Sequence, residues 1–197
     1  MNEEIEDARI REETPAGGAQ APAAAPRRPG IRLMLSHPAH AISFGFGSGL
    51  SPVAPGTVGT LWAWLAFTVL SLWLGTVGWG MVLAIGAPLG CWACTRTAQA
   101  MGISDPGAIV WDEVIAFWAV LWLIAPAGFV LQLVAFGLFR YFDAAKPGPV
   151  AWADGLFKLA PGRQPGWRQG VGIMLDDAVA ALCTLLVLAL WRVLSGS

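Results

Sequence analysis

The stretch VIAFWAVLWLIAPAGFVLQLVAFGLF, residues 114–139, decides how this chain folds. It holds no charged residue, yet Asp112 and Glu113 stand immediately before it and Arg140 immediately after it. Read as one helix it would be about 39 Å long, more than one hydrocarbon thickness. Pro126 and Gly128 interrupt it, and a proline inside a helix forfeits a backbone hydrogen bond. The alternative is two halves of roughly 18 Å each, a short or re-entrant hairpin. Parity selects the hairpin. Polar motifs flank the segment on both sides, and they share one site only if it crosses an even number of times.

The rest of the chain has the same character. No Asp, Glu, Lys or Arg falls between Arg32 and Arg96. The 197 residues are 56% hydrophobic and only 13% charged, about half the charge of an ordinary soluble domain. Apolar runs at 58–74, 79–95 and 178–194 each cover about 25 Å at the helical rise. The expectation is an all-α integral membrane protein of about three to five membrane helices, counting the hairpin at 114–139, with Gly/Pro-rich loops on the cytoplasmic face. The eleven tryptophans suit the aromatic belts of such a protein, with several lying deeper. A net charge of −1 and a pI near 6.1 leave no basic footprint for nucleic acid.

Residues 1–30 read as a disordered tail and 31–197 as a single membrane-embedded domain. Six of the thirteen acids lie in the first 13 positions, and a Pro/Ala/Gly-rich stretch follows, which has too little apolar surface to order itself. Arg27, Arg28 and Arg32 sit just before the membrane body, so the positive-inside rule puts the N-terminus in the cytoplasm. Cys91, Cys94 and Cys183 lie in apolar runs without a histidine or a second cysteine pair nearby, and they read as packing residues.

The acids of the membrane body are few and grouped. Asp105, Asp112 and Glu113 occur in SDPGAIVWDE, Asp143 in YFDAAKPGP beside Lys146, and Asp176 and Asp177 form a doublet before the last apolar run; only Asp154 stands apart. Any one group is explained by the preference of acids for helix starts. All three together, with two side-by-side doublets, ask for a hard cation such as Mg2+, which carboxylate oxygens hold. An anion site is the natural counterpart. SPVAPGTVGT (51–60) leads into a helix whose first amides would receive a phosphate, with hydroxyls from Ser48, Ser51, Thr57 and Thr60. Lys146 is suited to pair with Asp143 or to contact phosphate, and His40 to carry a proton or donate to phosphate. By residue chemistry, hydrolysis of a membrane-borne phosphate leads. A small carrier gated by carboxylates is the non-enzymatic rival.

Four motifs, GFGSGLSPVAPGTVGT (45–60), IVWDE (109–113), FDAAKPGP (142–149) and GVGIMLDD (170–177), resemble bacterial phosphatidylglycerophosphatase A in order and spacing. HPAH (37–40) resembles the family's lead-in to the first of them. The resemblance implies a Mg2+-dependent phosphatase of the bacterial cytoplasmic (inner) membrane, acting on phosphatidylglycerophosphate to give inorganic phosphate and phosphatidylglycerol, a precursor of cardiolipin. It implies catalytic roles for Asp112, Glu113, Asp143, Lys146, Asp176 and Asp177, with the five acids as candidate metal ligands. Substrate binding would fall to His40, Ser48, Gly49, Pro55, Gly56, Thr57 and Thr60. The family motifs also include Pro52, Gly59 and Pro147. Ala181 stands where the family often has glycine. Arg168 and Gln169 fill a region where members can have histidine, so no histidine role carries over there. Metal ligand, general base and covalent nucleophile all remain open to the acids, although no D-x-D-x-T/V motif is present. Phosphatidic acid is the alternative lipid substrate, and a homodimer is compatible with so small a membrane body.

Overall fold

The computed structural model describes residues 29–103, 106–157 and 165–196, all helical or irregular and without strands. Residues 1–28 of the expected tail, Asp105, Lys158 and Arg163 lie outside them. Two short helices, α1 (Ile31–Ser36) and α2 (Pro38–Ser43), open the fold. Pro38 takes the first turn of α2, where its missing N–H costs nothing, and the His37 imidazole caps it by accepting from the Ala39 amide at 3.1 Å. A 3-10 turn (Gly45–Leu50) then leads to α3 (Pro55–Leu70) and α4 (Thr76–Met101). After these come α5 (Trp111–Ile124), α6 (Phe129–Ala145), α7 (Pro149–Leu156) and the long α8 (Trp167–Ser195).

The segment 114–139 is divided as its proline requires. Ala125 adopts the extended conformation favoured before proline, so α5 stops at Ile124 and α6 begins three residues past Pro126. Helix α5 is apolar all round beyond its first turn, and ten of its fourteen residues are buried. Such a helix belongs at the centre. Helices α3, α4 and α8 pack around it, while α6 and α7 both lie against α8. At the α4–α8 crossing, a side chain on Gly170 would meet the Cys91 carbonyl at 2.2 Å, so only glycine lets the helices come this close.

The tryptophans divide by depth. Trp73, Trp152 and Trp167 are well exposed, whereas Trp79, Trp111 and Trp118 are in the core. Each core indole finds an acceptor: Trp118 the Ala63 carbonyl (2.8 Å), Trp111 the Gly86 carbonyl (3.1 Å) and Trp79 the Ser71 hydroxyl (3.0 Å). An indole N–H buried without one would cost free energy, so these bonds fix how α3, α4 and α5 sit against one another.

Two helices among the described residues, α4 and α8, are long and apolar enough to cross a membrane; α3 is apolar but shorter. Several boundaries differ from the sequence expectation. The first apolar helix begins at Pro55 rather than residue 58 and ends at Leu70, because Pro55 is itself a good first-turn residue. The last begins at Trp167, eleven residues before the apolar run. Asp176 and Asp177 therefore lie within a helix, two to three turns from its start, and helix capping does not account for them.

Candidate active site

Four helices bring the acids together. Asp112 and Glu113 occupy the first turn of α5, where the exposed amides favour negative charge, and an Asp112 side-chain oxygen accepts from the Glu113 amide at 3.0 Å. Asp143 lies in the last turn of α6, one turn beyond Arg140. Asp176 and Asp177 come from the middle of α8, and Asp154 from α7. Asp177 is only 2% exposed, and the other four acids of the motifs are all below 10%.

Among the described residues, two cations order this cluster. The Arg140 guanidinium pairs with Glu113 at 3.0 Å and, one helical turn along, with Asp143. Because Glu113 starts α5 and Asp143 ends α6, this shared arginine ties the two ends of the 114–139 segment to one place. The chain goes out along α5 and comes back along α6. Lys146 donates to Asp154 and to Asp176, both at 2.6 Å. It caps the C-terminal end of α6 in a left-handed conformation (φ 44°). Burial disfavours the Lys146 ammonium, but Asp154 and Asp176 outweigh that and hold its pKa above the ordinary lysine value.

One oxygen each from Glu113, Asp143 and Asp177 lies within 4.8 Å of the other two. Glu113 Oε2 and Asp177 Oδ2 are buried and have no hydrogen-bond partner among the described residues. Buried oxygens of this kind are costly unless something satisfies them. Among the described residues, Arg140 and Lys146 pair with four of the carboxylates, and the converging oxygens of Glu113, Asp143 and Asp177 form a donor set that fits a hard divalent cation.

Among the described residues, the Gly/Pro-rich segment meets the cluster through Gly56, Gly59 and Thr60 at the start of α3. Gly56, in the first turn of α3, packs directly on Glu113: a Cβ there would sit 2.1 Å from Glu113 Oε1 and 3.0 Å from the Arg140 guanidinium. Thr60 is fully buried, donates to the Gly56 carbonyl at 2.9 Å and lies 3.4 Å from Arg140. Pro55 and Thr57 flank Gly56 on the same turn. The other members of the expected anion site lie in the preceding 3-10 turn, where Ser48 donates to the Gly45 carbonyl and Gly49 packs against the Ala108 carbonyl. His40 joins a buried polar chain between α2 and α4: its Nδ1 is 2.9 Å from the Thr97 hydroxyl, which donates to Ser43 at 3.0 Å. Burial, followed by the nearby charge of His37 and Arg96, lowers its pKa.

The model of the phosphatidylglycerophosphatase A family matches residues 41–192, which include all five clustered acids of the motifs. The chain belongs to the phosphatidylglycerophosphatase A family. Phosphatidylglycerophosphatase A of Escherichia coli is 38% identical over 77% of this chain and 81% of its own length. Phosphatidylglycerophosphatase A of Haemophilus influenzae is 38% identical over 79% of this chain and 90% of its own. A Bacteroides thetaiotaomicron protein named provisionally as a phosphatidylinositol-3-phosphatase is 35% identical over 79% and 94%. No solved structure matches the chain.

Within this family frame the structure adds residues that the sequence reading passed over. In the sequence Arg140 only marks the end of the charge-free run, although its spacing of three from Asp143 puts the two on one helical face. Asp154 stands apart in the sequence because its partner Lys146 is eight residues away across a helix end, a distance no local pattern marks. Lys146 accordingly pairs with Asp154 and Asp176 rather than with Asp143, whose partner is Arg140.

Proposed function

We propose that this chain is a Mg2+-dependent phosphatase of the bacterial cytoplasmic membrane that converts phosphatidylglycerophosphate to phosphatidylglycerol and inorganic phosphate, on the route to cardiolipin. The observation that carries the reading is the buried Glu113–Asp143–Asp177 cluster in a chain of this family. Glu113, Asp143 and Asp177 would hold the metal, with Asp112 and Asp176 adjoining. When bound, Mg2+ neutralises phosphoryl oxygens and makes water more acidic, the main needs of phosphoryl transfer.

The chain's own groups do the rest. The first amides of α3 around Gly56 and Thr57, at the positive end of the helix dipole, receive the phosphate. Arg140, held between Thr60 and the acids, adds charge on the same side. Lys146 acts through Asp176 by fixing its carboxylate. A carboxylate of the cluster accepts a proton as water attacks phosphorus, the P–O bond to the glycerol breaks, and the leaving alkoxide takes up a proton. In the membrane, α3, α4 and α8 cross, the α5–α6 hairpin dips in and returns, and the site faces the cytoplasm. Exposed apolar side chains on α3, α4 and α8, such as Leu65, Ile85 and Leu186, support contact of these three helices with lipid.

The test is inorganic phosphate release from phosphatidylglycerophosphate by purified protein, with Mg2+ and with EDTA, for wild type, Asp112→Asn and Asp177→Asn. Magnesium-dependent release that both variants lose while still folded is the expected result. Well-folded protein that releases none would overturn the reading in favour of the carboxylate-gated carrier. The name of the Bacteroides relative favours one second reading, the same chemistry on another phospholipid monoester, so phosphatidic acid and phosphatidylinositol phosphate belong in the same assay.

A further inference from the structure

A groove of about 440 Å³ runs along the protein between α4, α5 and α8. Small side chains leave it open: Ala87 on α4, Ala116 and Ala119 on α5, Ala178 and Ala181 on α8. Among the described residues, Asp112 is the single charged one in its wall. Helices α5 and α8 run in the same sense here, since Glu113 meets Asp177 and, farther along, Leu123 and Ile124 share a recess with Leu188 and Trp191. The apolar walls thus continue away from the acid cluster on both helices, from Asp112 to Ala119 and from Ala178 to Leu185, about 10 Å at the helical rise. Ala178 and Leu182 are exposed, so the groove is open along its side.

We propose that this groove holds one acyl chain of the phospholipid substrate and so positions its glycerol end beside the carboxylate cluster. This inference rests on the phospholipid phosphatase reading and adds the lane by which that substrate is held. Three observations choose the occupant. The groove is continuous with the candidate site through Asp112. Its wall is otherwise apolar, which suits hydrocarbon. Its volume, spread over the roughly 21 Å from Val171 to Leu185, of which the part from Ala178 onward runs away from the acids, gives a mean cross-section on the order of 20 Å², wide enough for a single hydrocarbon chain and far narrower than a helix about 10 Å across.

The experiment fills the groove and separates chain from headgroup. Ala119→Leu and Ala178→Leu add bulk at partly or fully exposed positions that take no part in the acid network. Each is expected to raise KM for long-chain phosphatidylglycerophosphate about tenfold, equivalent to excluding roughly two methylenes. Neither should change kcat, nor kcat/KM for the deacylated, water-soluble headgroup phosphate. A second measurement needs no turnover. Ala119→Cys, in protein whose Cys91 and Cys183 are replaced by alanine, is labelled with a maleimide. A non-hydrolysable long-chain phosphonate lipid should slow labelling about tenfold, and the soluble headgroup phosphonate should not. Equal losses on both substrates, or labelling indifferent to the long-chain lipid, would overturn the proposal. A change of oligomeric state in the leucine variants would overturn it in favour of a second copy in the groove. Protection without any phosphate release would leave the groove assignment standing and sink the hydrolytic reading instead.

Discussion

Gly56→Ala is the sharpest test of how the candidate site is built. A methyl group at this position would lie 2.1 Å from Glu113 Oε1 and 2.9 Å from its carboxyl carbon. Ordinary contact needs more than 3 Å, so the carboxylate must retreat by about 1 Å, which lengthens its 3.0 Å bond to Arg140 and opens the triad with Asp143 and Asp177. A misplacement of that size at a reacting centre costs on the order of 100-fold in rate, or about 2.7 kcal/mol. The backbone amide at residue 56 survives the substitution, so a loop that served only as an anion cradle would lose little. Stability should not fall, because the atom displaced is the end of a side chain and alanine is the better helix former by up to about 1 kcal/mol. The assay is kcat/KM for phosphate release beside a thermal melt. Combining Gly56→Ala with Glu113→Asp, one methylene shorter, should depress activity no further than Glu113→Asp alone, since the shorter side chain no longer meets the methyl. Activity within threefold of wild type for Gly56→Ala, or strict additivity in the double variant, would refute the packing argument. The result would separate Glu113 placement from anion binding as the reason for glycine at this position.

Other outcomes follow from the same geometry. Lys146→Met should destabilise the protein by about 1–3 kcal/mol, because it strips Asp154 and Asp176 of a shared, half-buried partner. Since the folded pKa of Lys146 lies above the unfolded value, its contribution is complete below about pH 10.4 and fades only as pH rises toward the folded pKa. Chemical denaturation of wild type and variant should therefore give the same stability difference at pH 6 and pH 9. Asp177→Asn should abolish Mg2+-dependent phosphate release yet raise the melting temperature in EDTA, because it relieves the crowding of three buried carboxylates; a lower melting temperature would count against that crowding. Single cysteines at Gly107 and Ala145, in protein without its native cysteines, should react with a membrane-impermeant maleimide from the same side of the membrane. Labelling from opposite sides would show that 114–139 crosses once.

Much of the fold was legible because burial leaves a compositional trace. The charge-free run 114–139 marked the most buried helix, and Pro126 marked its break, since a missing N–H and the restricted residue before it are local properties of the chain. The length of α8 was less legible. Residues 167–177 mix glycine, arginine and aspartate, so hydropathy places the helix start where the apolar run begins, although the backbone is helical from Trp167. The acids could be named from their grouping, and the structure brings oxygens of three of them, Glu113, Asp143 and Asp177, within 4.8 Å of one another. Their counter-charges could not be paired by spacing alone: Arg140 reaches back 27 residues to Glu113, and Lys146 forward 30 to Asp176.

The sequence by itself determined the helical class, the apolar runs and the position of the helix break at Pro126, because each follows from the transfer free energy or backbone chemistry of neighbouring residues. Tertiary structure alone decided which oxygens converge, that Lys146 serves Asp176 and Asp154 rather than Asp143, that Gly56 is glycine to make room for Glu113, and that alanines on three helices leave a groove beside Asp112. These are distances between residues far apart in the chain, set by how helices cross and where small side chains permit close approach, and no local pattern encodes them.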